Sequence, residues 1–332
     1  MSITLWDTSG TEVLRALATE RRAGAMLASG LALTLVVCVH EKDVAAAEQA
    51  AMVAAQAHPC RLLVVVRRQL ETADRLDAEV QVGGRLGPIE AVVMRMYGRL
   101  TLHPESVVLP LLAPDCPVVT WWHGPPPEEV ATDPLGVLAD RRITDTSLAA
   151  DPLAALTARA EDYAPGDTDL AWTRTTPWRS LIASAFDALA LPVAGARVEA
   201  EAGNPSAALL AGWLSARLGV EVERSDSGGP GVTELAVSLQ PGPDGGEGQS
   251  IRLSRPDGRL ATFARTGQPE RQLPLPRRSL GDLLAEELQR LDADEVYAES
   301  LAQVTGTSGL SERSPRRSLI WRDPAMQAAA AE

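Results

Sequence analysis

Runs of apolar residues alternate with amphipathic stretches along most of this chain. "LALTLVVCVH" (31–40) and "RLLVVVRR" (61–68) are short, continuous, β-branched-rich runs that suit fully buried strands. Between them, "DVAAAEQAAMVAAQAH" reads as a helix that ends at His58-Pro59. Strand, helix and strand in that order predict a βαβ unit with parallel pairing and a right-handed crossover. The pattern then changes to strict alternation at Leu76, Ala78, Val80 and Val82. "IEAVVMRMYG" answers it across the glycine-rich "GGRLG", which predicts an antiparallel hairpin. "ESVVLPLLAPD" suggests a short helix interrupted by Pro110, and "PVVTWWHG" a further strand.

Past the proline-rich "GPPPEEVATDPLG", the stretches "VLADRRITDTS" and "DPLAALTARAED" are predicted to be helical. Residues 163–176 read as an irregular bridge whose Pro165-Gly166-Asp167 forms a turn. Thr176 and Pro177 begin a helix that places Trp178, Leu181, Ile182, Ala185 and Leu189 on one face. "ARVEAE" is a strand, and Asn204-Pro205 starts a helix that stops at Gly219. "VEVERS", "GVTELAVSL", "SIRLSRPDGRLATFAR" and "RQLPL" supply strands before two closing helices, "LGDLLAEELQRL" and "ADEVYAESLAQ". The expected fold class is α/β with α+β elements, in two domains that each pack helices on a mixed sheet. The boundaries read as 1–162, 163–303 and a loosely ordered tail at 304–332, in which "LIW" (319–321) is the one apolar anchor.

Composition narrows the function more than the fold. Of 332 residues, 44 are acidic and 31 basic, giving a formal charge of −13, which disfavours nucleic acid and anionic membrane as partners. No apolar run reaches membrane-spanning length, and the first residues lack the basic and apolar regions of a secretion signal, so the expected location is cytoplasmic. Cys38, Cys60 and Cys116 fit a reducing compartment, and parallel pairing would put Cys38 and Cys60 near opposite ends of the sheet.

Motifs for chemistry are sparse. Lys42 is the sole lysine and lies in no glycine loop, which excludes a Walker site. "VGGRLG" reads as a hairpin turn, and "SGGPG" as a loop between strands with no helix start to receive an anion. His40, His58, His103 and His123 are dispersed, so no metal site, catalytic residue or cofactor is assigned. His40 and His123 follow strands, where α/β proteins often hold ligands. What stands out is Trp and Arg placement in a chain with only seven Trp, three Tyr and two Phe. Trp121, Trp122 and His123 end a strand, Arg141, Arg142 and Asp145 mark a charged helix, and Asp169, Trp172, Arg174 and Arg179 crowd the bridge. Trp and Arg are enriched at protein–protein hot spots, so these ten residues are candidates for partner binding, while Trp178 reads as core.

"DLAWTRTTPWR", with "WWHG", "ADRRITD", "LWDT" and "HPCRLLVVV", closely resembles the actinobacterial form of the glucose-6-phosphate dehydrogenase assembly protein family, OpcA, from about Leu5 to Leu301. The resemblance implies a non-catalytic partner that binds and promotes assembly or activation of glucose-6-phosphate dehydrogenase, at the entry to the oxidative pentose phosphate pathway. The alternative is a sugar-phosphate binding protein or enzyme using the N-terminal domain, with Arg141, Arg142 and Arg174 holding phosphate.

Overall fold

The computed structural model describes residues 2–23, 30–83, 90–186, 192–241 and 248–315. Two compact units emerge, one from Met1–Ala47 and His58–Arg142, the other from Glu48–Ala57 and Ile143–Arg313. Both are mixed sheets with helices, the predicted α/β class.

The first unit contains β1 (Ser2–Leu5), α1 (Gly10–Ala23), β2 (Leu33–Val39), the start of α2 (Val44–Ala57), β3 (Cys60–Arg67), β4 (Arg75–Val82), β5 (Glu90–Tyr97), α3 (Glu105–Val108), β6 (Val118–His123) and α4 (Pro134–Val137). Its strands run in the order β1-β4-β5-β3-β2-β6. The apolar runs pair in parallel, β2 with β3 and β6, and β3 with β5. The alternating runs pair antiparallel, Val80 opposite Val92, while residues 84–89 of the connecting loop lie outside the described residues. Strand β1, which the pattern did not reveal, adds to β4 at the edge. One core joins the helix and sheet residues Val13, Leu17, Val36, Leu63, Met94 and Val108. Buried Arg61 is tolerated in β3 because its guanidinium meets Glu90 at 2.8 Å and the Leu111 carbonyl at 2.7 Å. Register places Cys60 opposite Leu33 and Cys38 opposite Val65, so the two thiols sit at opposite ends of β2 and β3. All three cysteines are free, and burial pushes the Cys38 and Cys60 thiols up to about 12.

The change of unit falls inside β7 (Arg141–Thr144). Here the structure corrects the sequence reading, which made "VLADRRITDTS" a charged helix. β-branched Ile143 and Thr144 favour extended backbone, and all four β7 side chains are buried. Asp145 then caps a single 3-10 turn, Thr146–Leu148.

The second unit contains α5 (Pro152–Asp162), β8 (Asp167–Asp169), α6 (Leu170–Thr173), α7 (Thr176–Phe186), β9 (Val193–Ala200), α8 (Pro205–Leu218), β10 (Val222–Asp226), β11 (Val232–Leu239), β12 (Ser250–Ser254), β13 (Leu260–Arg265), β14 (Arg271–Pro274), α9 (Leu280–Glu287) and α10 (Glu295–Thr305). Its sheet runs β10-β9-β11-β12-β13-β14, with β9 and β10 parallel and the other pairs antiparallel. Asn204 caps α8 through the Ala207 amide, and Gly219 ends it at φ +67°, which only glycine adopts without strain. α8 lies against α10 so closely that a Cβ on Gly212 would sit 2.5 Å from the Ser300 carbonyl. Trp178 and Ile182 of α7 pack on Val198, Leu235 and Leu253 of the sheet; Leu189, expected on the same face, lies outside the described residues.

The region expected to be a loose tail from 304 begins in contact with this unit. Leu310 is buried with Tyr163, Trp172 and Leu301, and Arg313 donates to the carbonyls of Ala160, Glu161 and Tyr163. Apolar burial and these three acceptors explain why this part is docked; residues 316–332 lie outside the described residues.

Trp178→Ala is expected to destabilise the protein by about 3–5 kcal/mol, because it empties the α7 side of a packed core. Urea denaturation measures this, and a loss below about 1 kcal/mol would contradict the packing.

Candidate functional site

The bridge at 163–176 is ordered. Gly166, at φ +100°, makes the predicted turn, closed by Asp167 N–H donating to Ala164 O at 2.9 Å. Its irregular reading holds only in part, because β8 and α6 occupy Asp167–Asp169 and Leu170–Thr173.

Asp169 joins those two elements and is fully buried. Its carboxylate accepts from the Ala171 amide at 2.8 Å, as the cap of α6, and from the Thr144 hydroxyl at 2.8 Å. The Thr146 amide and hydroxyl donate to it as well, at 3.0 and 3.1 Å. Burial and the nearby charge of Asp145 push its carboxyl up to about 6, against the pull of these donors. Asp145 receives Arg174 bidentately, at 2.7 and 2.8 Å, and Ser147 from the other side. Burial works against the charge on Arg174, but the Asp145 hydrogen bonds and both carboxylates hold its proton more tightly than usual.

Trp172 is also buried, and α6 explains why. Four residues of helix turn the indole inward, where Nε1 donates to Asp294 at 2.8 Å and the ring lies 6.0 Å from that of Tyr297. Asp294 simultaneously caps α10 through the Tyr297 amide. Above the other face of Trp172 sits Arg179, its guanidinium 3.6 Å from the ring centroid. Arg179 donates to the Thr175 and Thr176 hydroxyls, and burial brings its pKa down to about 10. Thr173 donates to buried Glu287 of α9 at 2.5 Å.

Asp145, Asp169, Trp172, Arg174 and Arg179 therefore form one connected set in the second unit. Trp121, Trp122, His123, Arg141 and Arg142 lie in the first unit, with Trp121 and Trp122 both buried although they point to opposite sides of β6. His123 is half-buried, its ring 4.9 Å from Trp121, and Arg142 donates to the Ala139 carbonyl at 3.1 Å. Sequence reasoning missed Thr144, Thr146, Glu287 and Asp294; only Asp294, a capping residue before a helical run, carried a local signal.

Two clefts accompany these residues. The first unit has one of about 230 Å³ where β2, β3 and β6 end, lined by Cys38, His40, Arg67, Trp122 and His123. β2 leads to β3 on one side and borders β6 on the other, the kind of switch point where α/β sheets hold ligands. The second unit has a cleft of about 280 Å³ between α7, α8 and the β14–α9 connection.

Asp169→Asn is expected to act in two ways. Every contact to the carboxylate is a donor, so an amide NH₂ placed there costs about 1–3 kcal/mol. An unfolded Asp titrates near ~3.9. With the folded value near 6, the native state binds more protons between the two, so this group makes stability fall as pH rises from about 4 to about 6. Denaturation midpoints across that range should show the fall in the parent and not in the variant; an identical slope in both would exclude Asp169 as its source.

Two family models match the chain. One, described as the N-terminal domain of a glucose-6-phosphate dehydrogenase subunit, matches residues 51–161, and the other, described as the C-terminal domain of that subunit, matches residues 165–301. No curated protein matches the sequence significantly. Among solved structures, a 3-ketoreductase from Actinomadura kijaniata aligns at 10% identity with a TM-score of 0.38, over 83% of this chain and 95% of its own. An oxidoreductase from Sinorhizobium meliloti aligns at 10% identity and a TM-score of 0.38, over 85% and 97%. Those two likenesses are too distant to carry an argument. The paired domain models span most of the sequence, and the chain belongs to the OpcA-type glucose-6-phosphate dehydrogenase assembly protein family.

Proposed function

We propose that this chain is a non-catalytic partner that binds glucose-6-phosphate dehydrogenase and promotes its assembly or activation. The observation that carries the reading is the pair of domain matches, both described as parts of a subunit of that dehydrogenase. Charge supports it, since a formal −13 suits a protein partner better than nucleic acid or anionic membrane. A cytoplasmic location fits the same chemistry, and among the described residues no helix is long and apolar enough to cross a membrane.

Burial sorts the candidate contacts. Trp121, Trp122, Arg141, Arg142, Asp145, Asp169 and Trp172 are covered, so in this reading they hold the surface in shape. His123, Arg174 and Arg179 are partly exposed and are the members able to touch a partner directly. The mechanism is mass action: a protein that binds the active oligomer more tightly than the inactive form shifts the population toward it. A tenfold preference supplies about 1.4 kcal/mol.

Size-exclusion chromatography of the chain mixed with its cognate dehydrogenase is expected to give a co-eluting peak with raised activity per dehydrogenase protomer. The chain alone is expected to show no glucose 6-phosphate oxidation. Separate elution with unchanged activity, or turnover by the purified chain, would contradict the reading.

A further inference from the structure

The cleft of the second unit gathers four arginines in a protein of net charge −13. Arg174, Arg255, Arg277 and Arg278 line it, against the single carboxylate of Glu201. Two of these cations are neutralised, Arg174 by Asp145 at 2.7 Å and Arg278 by Glu286. Arg255 and Arg277 have no carboxylate within ion-pair distance among the described residues.

Arg255 is the informative one. Only 8% of it is exposed, it donates to the Leu275 and Val232 carbonyls at 3.0 and 3.3 Å, and its Nε has no acceptor. Its guanidinium lies 5.1 Å over the Trp178 ring. A cation held in a wall without a counter-charge costs free energy that an anion in the cleft would recover. Arg277 reaches the same place by crossing bare backbone. It donates to the Pro230 carbonyl and passes 3.2 Å from where a Cβ on Gly258, at φ +74°, would lie.

A third source of positive potential converges on this point. Asn204 and Ser206, at the start of the 14-residue helix α8, line the cleft beside Gly231. Pro205 has no N–H and the Ala207 amide already donates to Asn204, so the helix offers an anion its dipole and the Ser206 N–H. Gly231 belongs to the "SGGPG" loop, for which the sequence offered no helix start; α8 supplies one from a different part of the chain. Pro177, Trp178, Leu275 and Pro276 line the same cleft and supply apolar surface beside the charges, able to cover an organic group. At about 280 Å³ the space is near the small end for ligand pockets, which start at roughly 300 Å³, and is too small for a dinucleotide.

We propose that this cleft binds a small phosphate ester, its phosphate on Arg255, Arg277 and the α8 N-terminus, and its organic part against Trp178 and the prolines. Planar guanidinium forks pair with carboxylate and phosphate alike, and the charge of about −1.5 to −2 on a phosphate ester is the better match for two cations without a carboxylate. The inference does not rest on the dehydrogenase reading, because it concerns this chain alone.

Thermal shift and calorimetry on the full chain test it, with inorganic phosphate, pyrophosphate and glucose 6-phosphate as probes in potassium chloride at constant ionic strength. The expected result is saturable stabilisation, stronger for glucose 6-phosphate than for inorganic phosphate because the apolar side is then used. Arg277 is exposed, so Arg277→Gln should fold normally and weaken binding at least about tenfold. Arg197→Gln, on β9 away from the cleft, should bind as the parent does. Arg255→Lys keeps the charge but loses the fork, and should also weaken binding. Absence of a saturable response to all three probes would overturn the proposal. Equal binding by Arg277→Gln and the parent would overturn it too. Either failure would leave co-elution with the dehydrogenase untouched, so the two readings fall separately.

Discussion

A buried carboxylate, Asp169, with no cation in direct contact among the described residues, determines how the second unit is put together. Such a group survives only if donors surround it, and the donors come from separate segments: Thr144 in β7, Thr146 in the following turn, and Ala171 in α6. Satisfying Asp169 therefore fixes where β7, β8 and α6 meet. The next residues extend that fixation. Trp172 ties α6 to α10 through Asp294, Thr173 ties it to α9 through Glu287, and Arg174 ties it back to Asp145. The concentration of Trp, Thr and Arg at 169–179 has a structural cause: each consecutive side chain engages a different element.

This arrangement separates scaffold from surface. The polar atoms of the block are largely consumed by internal partners, and its aromatic rings are covered. The guanidinium groups of Arg255 and Arg277 meet backbone carbonyls but, among the described residues, no carboxylate, and they border a space. In the first unit the parallel core strands place Trp122 and His123 at the end of β6, where a cleft opens at the sheet's switch point. Each unit thus offers a cavity lined in part by buried side chains, Trp122 in the first and Arg255 and Trp178 in the second.

Periodicity revealed what periodicity can encode. The apolar runs at 33–39 and 60–67, the alternating hairpin strands, and the Asn204 and Gly219 ends of α8 were legible because each is decided by near neighbours. β7 was not legible, since Arg141 and Arg142 mimic a solvated helix and only tertiary burial makes them strand residues. α6 is too short to show a period, so Trp172 read as a residue in irregular backbone on a possible partner surface. The cationic cleft left no local trace at all. Arg174, Arg255 and Arg277 are far apart in the chain, and the helix start that accompanies the "SGGPG" loop precedes that loop in sequence.

We propose that the buried members of the 169–179 block, Asp169 and Trp172 among them, are framework, and that a partner meets the surface they support. Trp172→Phe separates these roles, because it deletes the indole N–H to Asp294 while keeping an aromatic ring under Arg179. The decisive measurement is stability by urea denaturation alongside affinity for glucose-6-phosphate dehydrogenase, both on the same preparation. Stability is expected to fall by about 1.5–3 kcal/mol, as for a lost hydrogen bond to a charged, half-buried carboxylate, with affinity per folded molecule unchanged. Full stability with affinity lost would contradict the account and place Trp172 itself at the interface.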